Sequence, residues 1–197
     1  VTRPGIAWVG VAALFGAFAL AGWRLQHEAL DWQPALAFSQ PWRALTPVGV
    51  HYSVNHLAGN LAGVALAGVF GVAALVPTRM AWAWLAAWPL THLGLLVKPE
   101  LAHYGGLSGV VHAGVAIVIV CVLVTGNRRQ RLVGTAVLTG FIAKLLSESP
   151  WGEALRHPAG WDIAVAPVVH ATGALAGAVC AAVALWLPPR TRAPSDT

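Results

Sequence analysis

Residues 107–124 read LSGVVHAGVAIVIVCVLV, a stretch with no Lys, Arg, Asp or Glu and His112 as its one histidine. A helix of that length covers about 27 Å, close to the roughly 30 Å of hydrocarbon in a bilayer. So apolar a run belongs in lipid. Working outward, Ile6–Gly22, Val54–Val76 and Met80–Val97 precede it, and Leu132–Leu146 and Ile163–Leu187 follow it, all of similar character. Together with Leu107–Val124 they predict an all-α, polytopic six-span bundle over residues 1–187. The polar, proline-containing tail Pro188–Thr197 is expected to be disordered.

Composition agrees: 57% of the 197 residues are hydrophobic and only 10% charged, too few charges for a water-soluble domain of this size. In a soluble chain the net charge of +5 would suggest nucleic acid, through basic patches with aromatics between them. Here the cations sit between apolar runs, so the expected surroundings are a bilayer and no nucleic-acid partner. Cys121 and Cys180 both lie inside apolar runs, which argues against a disulfide framework or a CxxC metal site. No metal and no cofactor is expected. Arg3 and Ala19-Leu20-Ala21 around the first run also fit a cleavable leader, but a series of membrane helices works equally well with an uncleaved first span.

Short cytoplasmic loops collect Lys and Arg. With the N-terminus inside, Arg3, Arg79, Arg128, Arg129, Arg131, Arg190 and Arg192 all become cytoplasmic, opposed only by Asp196. Both termini are then cytoplasmic, and spans two, four and six start at the outer surface. The longest external connection, about Trp23 to Val50, carries Trp32, Trp42 and Arg43 and suits the interface.

Polar groups inside spans are costly without partners and mark function by default. Three clusters qualify, all near those outer starts. In His51-Tyr-Ser-Val-Asn-His56-Leu-Ala-Gly-Asn60, the i, i+4 spacing puts His56 and Asn60 on one helix face; the bland alternative is an interhelical hydrogen-bond pair. In His103-Tyr-Gly-Gly-Leu-Ser108-Gly, glycines surround one hydroxyl at a helix start, where it could cap the first amides or work as a nucleophile beside free backbone N–H groups. In His170-Ala-Thr-Gly173-Ala-Leu-Ala-Gly177, an imidazole stands above a glycine groove that a neighbouring helix can approach closely. If that neighbour is span four, Ser108 and His170 make a nucleophile and its general base. His170 lies about 10 Å into the predicted sixth span while Ser108 opens the fourth. Their meeting therefore requires Lys98–Leu107 to dip into the membrane and predicts a water-accessible cavity opening outward.

At this point the chain resembles the rhomboid intramembrane serine proteases, most closely their short six-span branch, the rhombosortases. The resemblance runs in order through Trp42-Arg43-Ala-Leu-Thr46, His51, His56 and Asn60, Tyr104-Gly-Gly-Leu-Ser108-Gly109 and His170-x-x-Gly173-x-x-x-Gly177. It implies a dyad without a third acidic member, Ser108 attacking the scissile carbonyl and His170 taking its proton, with His56, Asn60 and the Ser108 N–H serving the oxyanion. No carboxylate near His170 in span six contradicts a dyad. It also implies a multi-pass protein of the bacterial inner membrane that cuts membrane-anchored exported proteins near the outer face, at a C-terminal tail of Gly-Gly, hydrophobic helix and basic end. A Gly-Gly pair resists helix formation and can lie extended in a site.

His112 stands where rhomboids commonly have a tyrosine stacked on the catalytic histidine. It could orient His170 by stacking or by a hydrogen bond, or merely fill a core position. Lys144 and Glu148, i, i+4 at the outer end of span five, are either a locally paired surface charge or a candidate substrate gate. Other classes fit less. A haem-binding cytochrome would use His56, His92, His112 and His170 but leaves Ser108 and Asn60 idle. A catalytically inactive relative that binds membrane helices would not need both Ser108 and His170, and a transporter finds no inverted repeat.

Overall fold

The computed structural model describes residues 5–187, so the Pro188–Thr197 tail and Arg3 lie outside the described residues. Six helices carry the chain: α1 (Ile6–Gly22), α2 (Val54–Ala73), α3 (Thr78–Leu93, continued by a 3-10 turn over Gly94–Val97), α4 (Ser108–Thr125), α5 (Arg128–Ser147) and α6 (Pro167–Trp186). Among the described residues there is no strand, only isolated bridges at Trp32–Tyr104 and Arg156–Val165. Each helix overlaps one predicted span. Four of them, α2, α3 with its 3-10 turn, α4 and α6, are long and apolar enough to cross a membrane, and α1 is apolar but shorter. Helix α5 is more polar, with Arg128, Arg129 and Arg131 in its first turn and Lys144 near its last.

Two boundaries differ from expectation for local reasons. Helix α5 begins four residues early because Asn127 and Gln130 form a reciprocal capping box, each side chain bonding the other's backbone N–H. Helix α6 begins four residues late, at Pro167 in its first turn. The preceding Ile163-Ala-Val165 is irregular, and Val165 exchanges backbone hydrogen bonds with Arg156 instead. Apolarity alone does not separate a helical run from an irregular one. Ser108 opens α4 and His170 lies in the first turn of α6, so the two stand level with one another at the same end of the bundle.

Lipid supplies no hydrophobic drive between helices, so close packing and interhelical hydrogen bonds carry the association. Gly173 and Gly177 of α6 lie directly against the carbonyls of Gly109 and Ala113 on α4, where any Cβ would overlap backbone. On the other side, Trp8 and Trp84 stack at 4.3 Å, and Phe15 meets Trp84 and Trp88 edge-on. The indole N–H groups donate to carbonyls of neighbouring helices, Trp8 to Ala67 at 2.9 Å and Trp84 to Val110 at 2.7 Å. Helix α5 packs on α4 and buries only Gly134.

The connection from Trp23 to Val50 is built of single helical turns around a buried ion pair. Arg43 donates to the Asp31 carboxylate at 3.0 Å and also to the Asp31 and Glu28 carbonyls, while His103 bonds the second Asp31 oxygen at 2.6 Å. Trp32 and Tyr104 exchange backbone hydrogen bonds, and the Gly106 N–H donates to the Pro47 carbonyl at 2.8 Å. The connection from Trp23 to Val50 thus holds the segment that leads into Ser108.

Gly173→Ala is expected to destabilise the fold by about 1–3 kcal/mol, because backbone has to move. Gly140→Ala, where a Cβ meets nothing within 4 Å, should gain about 0.5–1 kcal/mol. Thermal unfolding in detergent reads both. In the same assay Arg43→Ala should cost about 3 kcal/mol, by leaving Asp31 buried without its cation.

Candidate active site

Ser108 is the first residue of α4 and Leu107 holds the cap position, with no side-chain cap bond at that end. The hydroxyl is therefore not spent on capping. Its Oγ lies 3.0 Å from His170 Nε2. As one of the first amides of a helix, the Ser108 N–H has no carbonyl one turn back to bond, and it sits at the positive end of the α4 dipole.

The other ring nitrogen of His170 meets a carboxylate, which the sequence reading did not anticipate. Glu148, the first residue past α5, places Oε2 2.7 Å from His170 Nδ1. A carboxylate can only accept, so the proton belongs on Nδ1 and the Nε2 lone pair faces the Ser108 hydroxyl. Burial pushes the Glu148 carboxyl up, but its hydrogen bonds to His170 and Lys144 outweigh that and hold it at about 2. Span six holds no such carboxylate. This one arrives from the end of α5.

Lys144 and Glu148 do form the expected i, i+4 pair, at 3.0 Å, and the pair faces His170. The Lys144 ammonium touches Glu148, His112 Nε2 and His170 Nδ1, the last at 3.1 Å. His112 lies parallel to His170, with ring centroids 4.2 Å apart and an interplanar angle of 16°. Its Nδ1 is anchored on the Ser108 carbonyl at 2.7 Å. Of the alternatives open for His112, stacking is the observed one.

His56 and Asn60 line the same cavity, of about 580 Å³, as Ser108 and His170. His56 Nδ1 accepts from the Tyr52 N–H at 3.4 Å, which leaves the proton on Nε2. That nitrogen faces Gly106, where a Cβ would stand 2.9 Å away. With φ at +142°, Gly106 also adopts a backbone conformation that side chains disfavour, so glycine is required twice over. Asn60 is buried and its amide nitrogen has no protein partner. A buried donor left free beside a cavity is costly unless something else accepts from it. His51, its ring tilted against that of His56 with centroids 4.8 Å apart, sits fully buried in the connection ahead of α2, and burial lowers it to about 4.

The strap between α5 and α6 closes one wall. Arg156 donates to the Glu148 carbonyl at 2.7 Å and Lys98 to the Gly152 carbonyl at 2.7 Å. Asp162 bonds Ser53 at 2.9 Å and Asn55 at 3.0 Å, at the N-terminus of α2, while Trp161 covers Gly59. The stacked rings of His112 and His170, 4.2 Å apart, leave no room for a porphyrin between them.

A family model described as a rhomboid domain matches residues 39–187. Neither the curated proteins nor the solved structures contain a match to the chain. Asp162→Ala should free the strap, seen as faster limited proteolysis between residues 149 and 166 with the helices still protected.

Proposed function

The chain belongs to the rhomboid family of intramembrane serine proteases, and from that premise we propose that it is an active endopeptidase working through Ser108 and His170. It is an integral, multi-pass membrane protein, and rhomboid proteases act on membrane-protein substrates. The observation that carries the reading is the 3.0 Å contact between Ser108 Oγ and His170 Nε2 at a cavity that also receives an unpartnered Asn60 donor.

In the proposed reaction Ser108 Oγ attacks the scissile carbonyl carbon as its proton passes to His170 Nε2. The oxyanion is met by His56 Nε2–H, Asn60 Nδ2–H and the Ser108 N–H. Collapse expels the new amine, which takes the proton from His170 and leaves an acyl-Ser108. Water then attacks the acyl carbon, its proton going to His170 and on to Ser108 Oγ, and the carboxylic acid product leaves. The substrate would be an exported protein of the rhombosortase kind, anchored by a C-terminal Gly-Gly tail with a hydrophobic helix and a basic end. The cut would fall near the outer, periplasmic face of a bacterial inner membrane, with both termini of this chain in the cytoplasm. Helix starts at Ser108 and His170 on one side of the bundle support that placement.

Purified protein in detergent should react with a fluorophosphonate probe. Ser108→Ala should abolish labelling and His170→Ala nearly so, while Asn60→Ala should slow it by about 10²–10³-fold, the usual cost of one oxyanion donor. A folded wild type that stays unlabelled would favour a protein that binds membrane helices without cutting them.

A further inference from the structure

We propose that Glu148 is the positioning residue of His170, selecting its working tautomer against the competing donor Lys144, so that the site is a Ser108–His170–Glu148 triad. The inference rests on the protease reading above.

Two groups of opposite character reach the same nitrogen. Glu148 Oε2 lies 2.7 Å from His170 Nδ1 and Lys144 Nζ lies 3.1 Å from it. They require opposite positions for the ring proton. Bonded to the carboxylate, Nδ1 carries the proton and Nε2 can accept from Ser108. Bonded to the ammonium, Nδ1 must offer its lone pair, the proton moves to Nε2, and the ring donates to Ser108 Oγ at the atom where a base is needed. In a serine hydrolase that second tautomer is idle.

The arrangement around Lys144 holds it to the harmless side. Its ammonium is shared between both oxygens of Glu148, at 3.0 and 3.1 Å, and His112 Nε2. His112 is able to accept there because its own Nδ1–H is committed to the Ser108 carbonyl. Glu148 therefore acts twice, by accepting from His170 and by occupying the cation that would otherwise donate to it. It also stabilises the imidazolium that forms when Ser108 is deprotonated. No solvent-exposed pair at a helix end needs either neighbour, so the contacts to both histidines separate this arrangement from an ordinary i, i+4 ion pair.

Fluorophosphonate labelling in detergent, resolved into kinact and KI, tests the assignment on full-length protein. Glu148→Ala should lower kinact by roughly 10³-fold or more with KI little changed, as loss of the orienting carboxylate does in other serine-protease triads. Glu148→Gln keeps the shape and guards against misfolding; it should be slow as well, since its amide can donate to Nδ1. The double variant Glu148→Ala/Lys144→Met should recover at least about tenfold over Glu148→Ala, because the competing donor is gone. Wild-type kinact in both folded Glu148 variants would overturn the proposal, and so would a loss that Lys144→Met does not relieve. Labelling of Ser108→Ala at the wild-type rate would instead overturn the protease reading itself, and the triad with it.

Discussion

Everything at the candidate site depends on two missing methyl groups. Gly173 and Gly177 let the backbone of α6 touch the Gly109 and Ala113 carbonyls of α4, and only at that separation do Ser108 and His170 lie 3.0 Å apart. A single added carbon on this face would push the helices apart by a distance comparable to the tolerance of a hydrogen bond. In a bilayer, where lipid tails compete equally for apolar side chains, backbone proximity of this kind is among the few sources of helix affinity. The packing that stabilises the bundle and the geometry of the reacting pair are thus the same contact.

The remaining elements position what that contact brings together. The buried Arg43–Asp31 pair organises the connection from Trp23 to Val50, which pins Tyr104 and Gly106 and so fixes how the chain enters α4. The strap from Glu148 to Ala166 carries the carboxylate to His170 at one end and closes over α2 through Asp162 at the other. The aromatic cluster of α1 and α3 lies away from the chemistry and anchors α4 through the Trp84 bond to Val110.

The apolar runs located all six helices, and α1 matches its expected limits, because a charge-poor stretch bounded by turns leaves little freedom. The pairing of Ser108 with His170 was also legible, since the glycine spacing in α6 says which face meets a neighbour. Glu148 was not. It is 22 residues from His170 and joined to it by an irregular strap, whose path no local spacing reveals. The i, i+4 pattern with Lys144 has a sufficient local explanation that hides the nonlocal one. The start of α6 is hidden for a related reason: Ile163-Ala-Val165 is as apolar as a helix, but the segment is irregular and Val165 bonds Arg156.

The cluster around His170 also has an electrical consequence. Glu148 and Lys144 cancel, so with neutral imidazoles the group carries no net charge, and in the proposed step positive charge is displaced by at most the 3.0 Å between oxygen and nitrogen while a compensating negative charge appears on the substrate. That displacement is roughly a tenth of the hydrocarbon thickness. A full elementary charge crossing the membrane is worth about 2.3 kcal/mol per 100 mV, so even a proton path aligned with the field would change the barrier by only about 0.2 kcal/mol. The proposed chemistry would in effect be insulated from the membrane voltage.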